Sequence, residues 1–365
     1  MKRITSLLAL AFFTAISLNA KVWTVSFDSR PAQFTNIQTA HDTASAGDTI
    51  LVNGYGSSTS LNITKPLTLI GETIVGATSG SEQRTRIYSL NLRRINSYTG
   101  ANDVRIYGME IAYISMDPYF SGAQAGEQIL DNVLIERCHL AYITFSSTPS
   151  YSYSNFTFRN SIISGSITGL GYASFSNFLI TNCVIDGYIG GYTSSTGYGV
   201  NGNLVVRNST FIDRTNAGCF SNLEGAIIEN CIFYRSEPTG CTGCTFNNNL
   251  TFFCLDNSLP PAAWSAGAPN VGSGNIQNAD PLWVAYPALG DAPWSSTHNY
   301  SPQAGSPALG TGTNGTNIGL TGGNAPVDNI PTHPKTPEVI EIDIPVSSVP
   351  AGGTLQINLK AKTRD

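Results

Sequence analysis

One pattern recurs through the middle of this chain and leaves few folds open to it. The run Asn-Phe-Leu-Ile-Thr-Asn-Cys-Val-Ile at 177–185 alternates apolar with outward residues, reaches an asparagine, takes one small residue and turns apolar again. The same frame fits 104–111, 133–140, 156–163, 204–211 and 226–233, and more loosely 246–251. Its turn position reads Gly108, Arg137, Asn160, Asn182, Asn208, Asn230, Asn248, and the next reads Met109, Cys138, Ser161, Cys183, Ser209, Cys231, Asn249. Self-similarity at a period of roughly 20 to 30 residues marks a solenoid or a repeat array. Each copy holds short strand-like stretches separated by Gly, Asn or Ser, with no helical pattern. Propeller blades need about 40 residues, so the spacing favours a parallel β-solenoid.

The turn column has a physical reason. A sharp corner between stacked strands needs a left-handed residue, which Gly and Asn tolerate best. Stacked Asn amides one coil apart are expected to hydrogen-bond up the column. Inside, Ile106, Ile135, Phe158, Ile180, Val206 and Ile228 form one apolar ladder, and Ile114, Ile143, Ile167 and Ile189 another.

Composition narrows the partners. Of 365 residues 41% are apolar but only 12% are charged, against roughly 25% charged in an ordinary soluble domain. The surface is therefore built of hydroxyls and amides. A net charge of −5, with Lys65 the only lysine between Lys21 and Lys335, gives no basic patch for nucleic acid. Residues 1–20 carry Lys2 and Arg3, an apolar stretch and Leu18-Asn19-Ala20, the layout of a secretory signal peptide. No other apolar run is long enough for a transmembrane segment. The expected location is secreted or cell surface.

Seven cysteines in an exported chain raise the question of disulfides. Cys138, Cys183 and Cys231 share one column with serines between them. At about 4.8 Å per coil, alternate members stand roughly 10 Å apart, beyond bridging distance, and read as buried thiols. Cys219, Cys241, Cys244 and Cys254 are close enough in sequence for one or two bridges. Cys241-Thr-Gly-Cys244 has no second such pair and no His pair to complete a zinc site.

Around the repeats, 22–26 reads as a strand, 32–44 as a short helix capping the first coil, and 49–52 as the first coil strand. The domain reading is therefore a signal peptide at 1–20, an N-terminal strand and capping helix at 21–48, a parallel β-helix at 49–255, an irregular cover at 256–330, and a linker with a C-terminal β-hairpin at 331–365. The segment "AHDTASAGDTILVNGYG" with "ITKPLTLIG", the Asn-turn repeats, and the late "NADPLWV" and "GSPALGTG" together resemble secreted right-handed parallel β-helix proteins of the pectin-lyase-like superfamily. The resemblance covers roughly 30–320. It implies an all-β, right-handed β-helix of about nine or ten coils, whose outward strand faces often form a carbohydrate groove. It does not select among lyases, hydrolases, adhesins and structural proteins.

Each chemistry needs its own side chains. A polysaccharide lyase needs a Ca²⁺ site or basic cluster to neutralise a uronate and a base to take the α proton. A glycoside hydrolase needs paired carboxylates. The outward positions after the turn read Tyr113, Tyr142, Ser166, Tyr188 and then Ser115, Thr144, Thr168, Gly190, with no carboxylate pair and no lysine. One charged constellation follows, Asp213 and Arg214 with Arg235 and Glu237, in which Asp213 stacks on Arg235. It fits either a lyase-like site or a cross-coil salt bridge. Arg137 with Glu136 and His139 reads as a hydrogen-bonded surface cluster, and the column Tyr107, Glu136, Arg159, Thr181, Arg207, Glu229 as a solvated face of alternating sign. Tyr113, Tyr142 and Tyr188 are candidates for carbohydrate binding, since flat rings on a rigid face can stack on sugars. Two functions follow. The favoured one is a non-enzymatic exported protein that binds polysaccharide or surface glycan, as an adhesin or structural element, with no cofactor. The alternative is a pectin-lyase-like lyase or hydrolase, with Ca²⁺ a possible cofactor only in the lyase case.

Overall fold

A computed structural model describes residues 20–74, 84–95, 100–119, 129–146, 148, 151–170, 173–190, 204–212, 218–287, 293–333, 337–343, 352 and 357–363. The signal-peptide expectation at 1–20 lies almost wholly outside them.

The chain winds as a parallel β-helix. Its first sheet stacks Val22–Ser26, Thr49–Asn53, Thr68–Gly71, Arg105–Tyr107, Ile129–Glu136, Ser152–Arg159, Phe178–Thr181, Leu204–Arg207, Ile227–Glu229 and Thr245–Asn247 in chain order. The second sheet takes the strand that follows each turn: Tyr55–Ile63, Arg86–Arg93, Glu110–Asp117, His139–Phe145, Ile162–Thr168, Val184–Ile185, Thr210–Ile212, Ile232–Tyr234 and Leu250–Phe252. Both sheets are parallel throughout, so each strand pairs with its equivalent one coil away. The two apolar ladders are the core, each member 2% exposed or less.

The first coil is closed by the helix Ile37–Thr43, shorter than the 32–44 expected. Asn36 caps it, its side chain accepting from Thr39 N at 3.0 Å. Ile37 and Ala40 close the apolar cross-section, which would otherwise meet water.

The turn residues adopt the conformation their types suggest. Asn160, Asn182, Asn208, Asn230 and Asn248 have φ between 47° and 55°, Gly108 has 64°, and Arg137 is held at 56°. Each backbone N–H donates to the carbonyl before the next turn: Asn160 to Thr181, Asn182 to Arg207 and Asn208 to Glu229, at 3.1 to 3.2 Å. In the next column Ser161 and Ser209 donate to Arg159 O and Arg207 O at 2.9 and 3.0 Å. Cys138, Cys183 and Cys231 direct their sulfurs at the matching carbonyls at 3.3 to 3.4 Å. Thiol and hydroxyl thus serve one purpose there, and burial pushes all three thiols up to about 12.

Two expectations are overturned. All seven cysteines are free and buried, so Cys219, Cys241, Cys244 and Cys254 form no bridge. Instead their sulfurs are absorbed locally: Ala226 N donates to Cys244 Sγ at 3.3 Å, and Cys254 Sγ lies 3.4 Å from Ser236 O. Nor do the turn asparagines bond up their own column. Asn160 Nδ2 donates to Ala325 O at 3.0 Å, Asn182 Nδ2 to Leu320 O and Gly322 O at 2.8 and 2.9 Å, and Asn248 Nδ2 to Thr313 Oγ1 at 3.0 Å. Asn230 Oδ1 accepts from Thr313 N at 2.9 Å.

The C-terminal segment therefore runs back along the turns as a strap. It passes Asn248 and Asn230 at Thr313, Asn182 at Leu320 and Asn160 at Ala325. It reaches Arg137 and Glu72 at His333, whose carbonyl and Nδ1 they meet at 3.2 and 3.0 Å. Seven coil steps make this about 34 Å. Beneath it lies a second apolar core, Ile162, Val184, Ile212, Ile232 and Leu250 against Trp283, Tyr300, Ile318, Leu320 and Ile330. Gly319 shows how close the approach is: with φ of 84°, a Cβ there would sit 2.7 Å from Ile232 Cδ1.

The region taken as irregular cover begins by extending the stack. Val271 bridges Thr245 and Ile276 bridges Leu250, both in parallel, with Asn275 Oδ1 accepting from Asn249 N at 2.9 Å. At the C-terminus Pro337–Asp343 and Asn358–Thr363 pair antiparallel, as the hairpin expected within 331–365 requires.

Candidate functional site

The strap divides the outer surface of the second sheet. Its turn-side margin is covered, while the part farther along each strand is open. On the open part Tyr113 pairs in register with Tyr142, Tyr142 with Ser166, and Ser166 with Tyr188. Tyr113 and Tyr142 are 44% and 48% exposed, whereas Tyr188 is half-buried. Their first two rings are 5.2 Å apart and nearly parallel, at 15°. Tyr88 extends the stack at 5.2 Å and 60°, and was not singled out because the early coils do not follow the repeat frame.

Stacking along the column changes what these rings offer. Tyr113 and Tyr142 each turn one face to the other, and Cε1 of Tyr142 would lie 3.3 Å from a Cβ at Gly165. The surface consequently presents ring edges and a row of phenol hydroxyls rather than free flat faces. The Tyr88 phenol is the main cause raising the Tyr113 pKa, which keeps that hydroxyl protonated. A polar ladder runs beside the stack: Asn91 Nδ2 donates to Asn62 Oδ1 at 3.2 Å, Ser115 pairs with Thr144, and Thr168 Oγ1 donates to Thr144 Oγ1 at 3.4 Å.

The charged constellation is not assembled among the described residues. Asp213 and Arg214 lie outside them. Arg235 holds a left-handed corner at φ 55°, its N–H donating to Phe252 O at 3.0 Å, and Glu237 bridges Gly218 through its backbone. Both side chains are half-buried. Among the described residues no group of three His, Cys, Asp or Glu is placed to hold a metal ion.

Glu136 and Arg137 are not a surface cluster: they are 8% and 4% exposed, Arg137 lying against the strap at His333 O and Glu136 against Arg159. Arg159 Nη2 lies 2.6 Å from Glu136 Oε2, and Arg207 pairs in register with Glu229, so alternating signs do face each other across coils. A denser charged group was missed. The first outward position after each turn reads Tyr55, Arg86, Glu110, His139 in successive coils. Arg84 and Arg86 both lie over the Tyr55 ring, at 5.2 and 5.0 Å. Both also pair with Glu110, at 2.8 and 3.2 Å, and Arg86 donates to the Tyr55 hydroxyl. His139 Nε2 lies 2.9 Å from Ser164 Oγ, with the Trp294 ring of the strap 6.4 Å away.

Compared with known proteins, the sequence matches no protein-family model and no curated protein. Among the described residues no helix is long and apolar enough to cross a membrane.

Proposed function

We propose that this is an exported surface protein of the pectin-lyase-like β-helix kind, which holds polysaccharide along the open face of its second sheet and leaves the glycosidic bonds intact. The observation that carries the reading is the exposed Tyr88, Tyr113 and Tyr142 stack running beside a ladder of amides and hydroxyls. A sugar chain needs many weak hydrogen-bonding partners fixed at regular spacing, with apolar ring edges between them. A parallel stack repeats such partners about every 4.8 Å without ordering any loop. The low charge of the surface fits a neutral ligand of this class better than an ionic one.

A panel of soluble and insoluble polysaccharides, scored for depletion of the protein and for new reducing or unsaturated ends, tests the reading. Binding weakened by Tyr113→Ala and Tyr142→Ala without new ends supports it. New ends abolished by Arg235→Ala would establish the lyase or hydrolase alternative instead. Binding to none of the panel, or binding indifferent to both tyrosines, overturns the proposal.

A further inference from the structure

The turn-side margin of the second sheet changes character along the solenoid. In the later coils it carries Ile162, Val184, Ile232 and Leu250, all beneath the strap. In the earlier ones it carries Arg86, Glu110 and His139, which the apolar core does not require. His139 Nε2 and Ser164 Oγ are 2.9 Å apart, whereas Leu140 O, the other acceptor of that hydroxyl among the described residues, is at 3.5 Å. The imidazole is therefore its closer partner. Both side chains are half-buried, and Tyr142 stands three residues along the same strand as His139. That is roughly 10 Å, within the span of a short oligosaccharide.

We infer that Ser164 and His139 are a nucleophile and base that hydrolyse acyl esters, and that the substrate is an O-acylated polysaccharide lying across the tyrosine stack. Only the sugar half of that substrate rests on the glycan-binding reading. Ser164 Oγ attacks the ester carbonyl carbon while His139 Nε2 takes its proton. The carbon–oxygen bond to the sugar breaks, and the imidazolium gives the proton to the departing alkoxide. Water then attacks the acyl-serine, its proton passing through His139 to Ser164 Oγ, and a carboxylic acid leaves. Ester and water become alcohol and acid, with no other reactant.

The surroundings keep the base free of its proton at neutral pH but weaken it. Burial, with Arg84 and Arg86 adding to it, pushes the imidazole down to about 4, so it is unprotonated at neutral pH. Glu110 faces it in register from the preceding coil and pairs with both arginines, Asp186 lies one coil beyond Ser164, and the strap contributes uncharged Trp294. With the Glu110 oxygens at Arg84 and Arg86, no carboxylate among the described residues is bonded to the His139 imidazole, and turnover should be slow.

The test uses the mature protein, 4-nitrophenyl acetate and a fluorophosphonate probe, neither of which requires glycan binding. Labelling of Ser164 seen by mass spectrometry is expected, with hydrolysis above the buffer rate. Ser164→Ala should abolish both, and His139→Gln should slow both by about 100-fold. Ser164→Cys, which keeps the packing, should react with iodoacetamide faster than the buried native thiols. Unlabelled Ser164, or hydrolysis that survives Ser164→Ala in a folded protein, overturns the inference. Labelling without any polysaccharide binding would refute only the glycan reading, and binding without labelling only the dyad.

Discussion

The molecule carries two asparagine ladders, and they are used in opposite ways. The one at the corner between the sheets is covered: Asn160, Asn182, Asn208 and Asn230 are at most 4% exposed and bind the strap. The other enters the first sheet, where Asp103, Asn132, Asn155 and Asn177 also have positive φ, between 53° and 57°. Asn155 and Asn177 are exposed. Here the amides do bond along the column, Asn132 Nδ2 to Asp103 Oδ1 and Asn177 Nδ2 to Asn155 Oδ1, the latter at 3.0 Å. Identical residue type and backbone region therefore lead to different partners. What decides is whether a second chain segment supplies carbonyls: where the strap does, the amides turn to it, and where it does not they turn to one another or, as Asn155 does to Asp131 Oδ1 at 2.8 Å, to a carboxylate of the neighbouring coil.

The largest expected effect lies under the strap. Val184 is fully buried between coil and strap, so Val184→Asp places a charge there without a partner, a change costing roughly 3 to 5 kcal/mol. Limited proteolysis should then cut within 305–333 while the inner ladders stay folded. Thr144→Asp, on the open face, should change stability by less than about 0.5 kcal/mol. Equal protease resistance in both variants would remove the distinction between covered and open margins.

Next come the ladders themselves. Asn182→Ala loses two bonds to strap carbonyls and forces alanine into a left-handed corner, together about 3 kcal/mol. Asn182→Gly relieves the backbone and should recover about 1 kcal/mol of that. Asn155→Ala, exposed to water, should cost only about 1 kcal/mol. Urea unfolding of the three variants checks the order, and Asn155→Ala matching Asn182→Ala would show that coverage contributes nothing.

These contrasts also mark what could be read from sequence. The corner column, both apolar ladders and the register of Tyr113, Tyr142, Ser166 and Tyr188 follow from alternation alone, because parallel stacking puts equivalent residues above one another. The second ladder had a visible signal, Asp103, Asn132, Asn155 and Asn177 each standing just before the first apolar residue of a copy, where they resemble ordinary outward polar positions. The strap had none. Most of its bonds to the turn asparagines use its own backbone, and the residues it buries, such as Ile318, Leu320 and Ile330, recur with no period. The column of Arg86, Glu110 and His139 escaped for a third reason: the coils bearing Tyr55 and Arg86 are irregularly spaced and fall outside the frame.

Acid should act on the covered side first. His41 is buried beneath the first coil, with Thr64 N donating to its Nε2 at 3.2 Å, and His139 sits at the strap edge. Burial is the main cause lowering the pKa of both. A histidine depressed in the folded state binds its proton more readily when unfolded, so its contribution is complete above the unfolded value of about 6.5 and declines below it. For His139 the decline should run from about 6.5 to about 4. Thermal midpoints measured across that range should fall less steeply in His139→Gln than in the native chain, and the remaining slope should diminish in a variant that also carries His41→Gln. Parallel curves would mean that neither imidazole is held neutral.

The smallest effect on stability is expected where the effect on binding is greatest. Tyr142 is 48% exposed, and one of its ring faces lies against Tyr113. Tyr142→Ala should cost about 1 kcal/mol or less, since much of the ring's apolar area already meets water. Tyr142→Phe keeps the stack and removes only the hydroxyl, so it separates the two things the ring offers. If the row of phenol hydroxyls is what meets the sugar, Phe should weaken polysaccharide binding nearly as much as Ala, by about tenfold or 1.4 kcal/mol. If stacking against sugar faces dominates, Phe should bind as the native protein does. Because the rings already spend faces on one another, the first outcome is expected, and titration with a polysaccharide retained by the native protein decides between them.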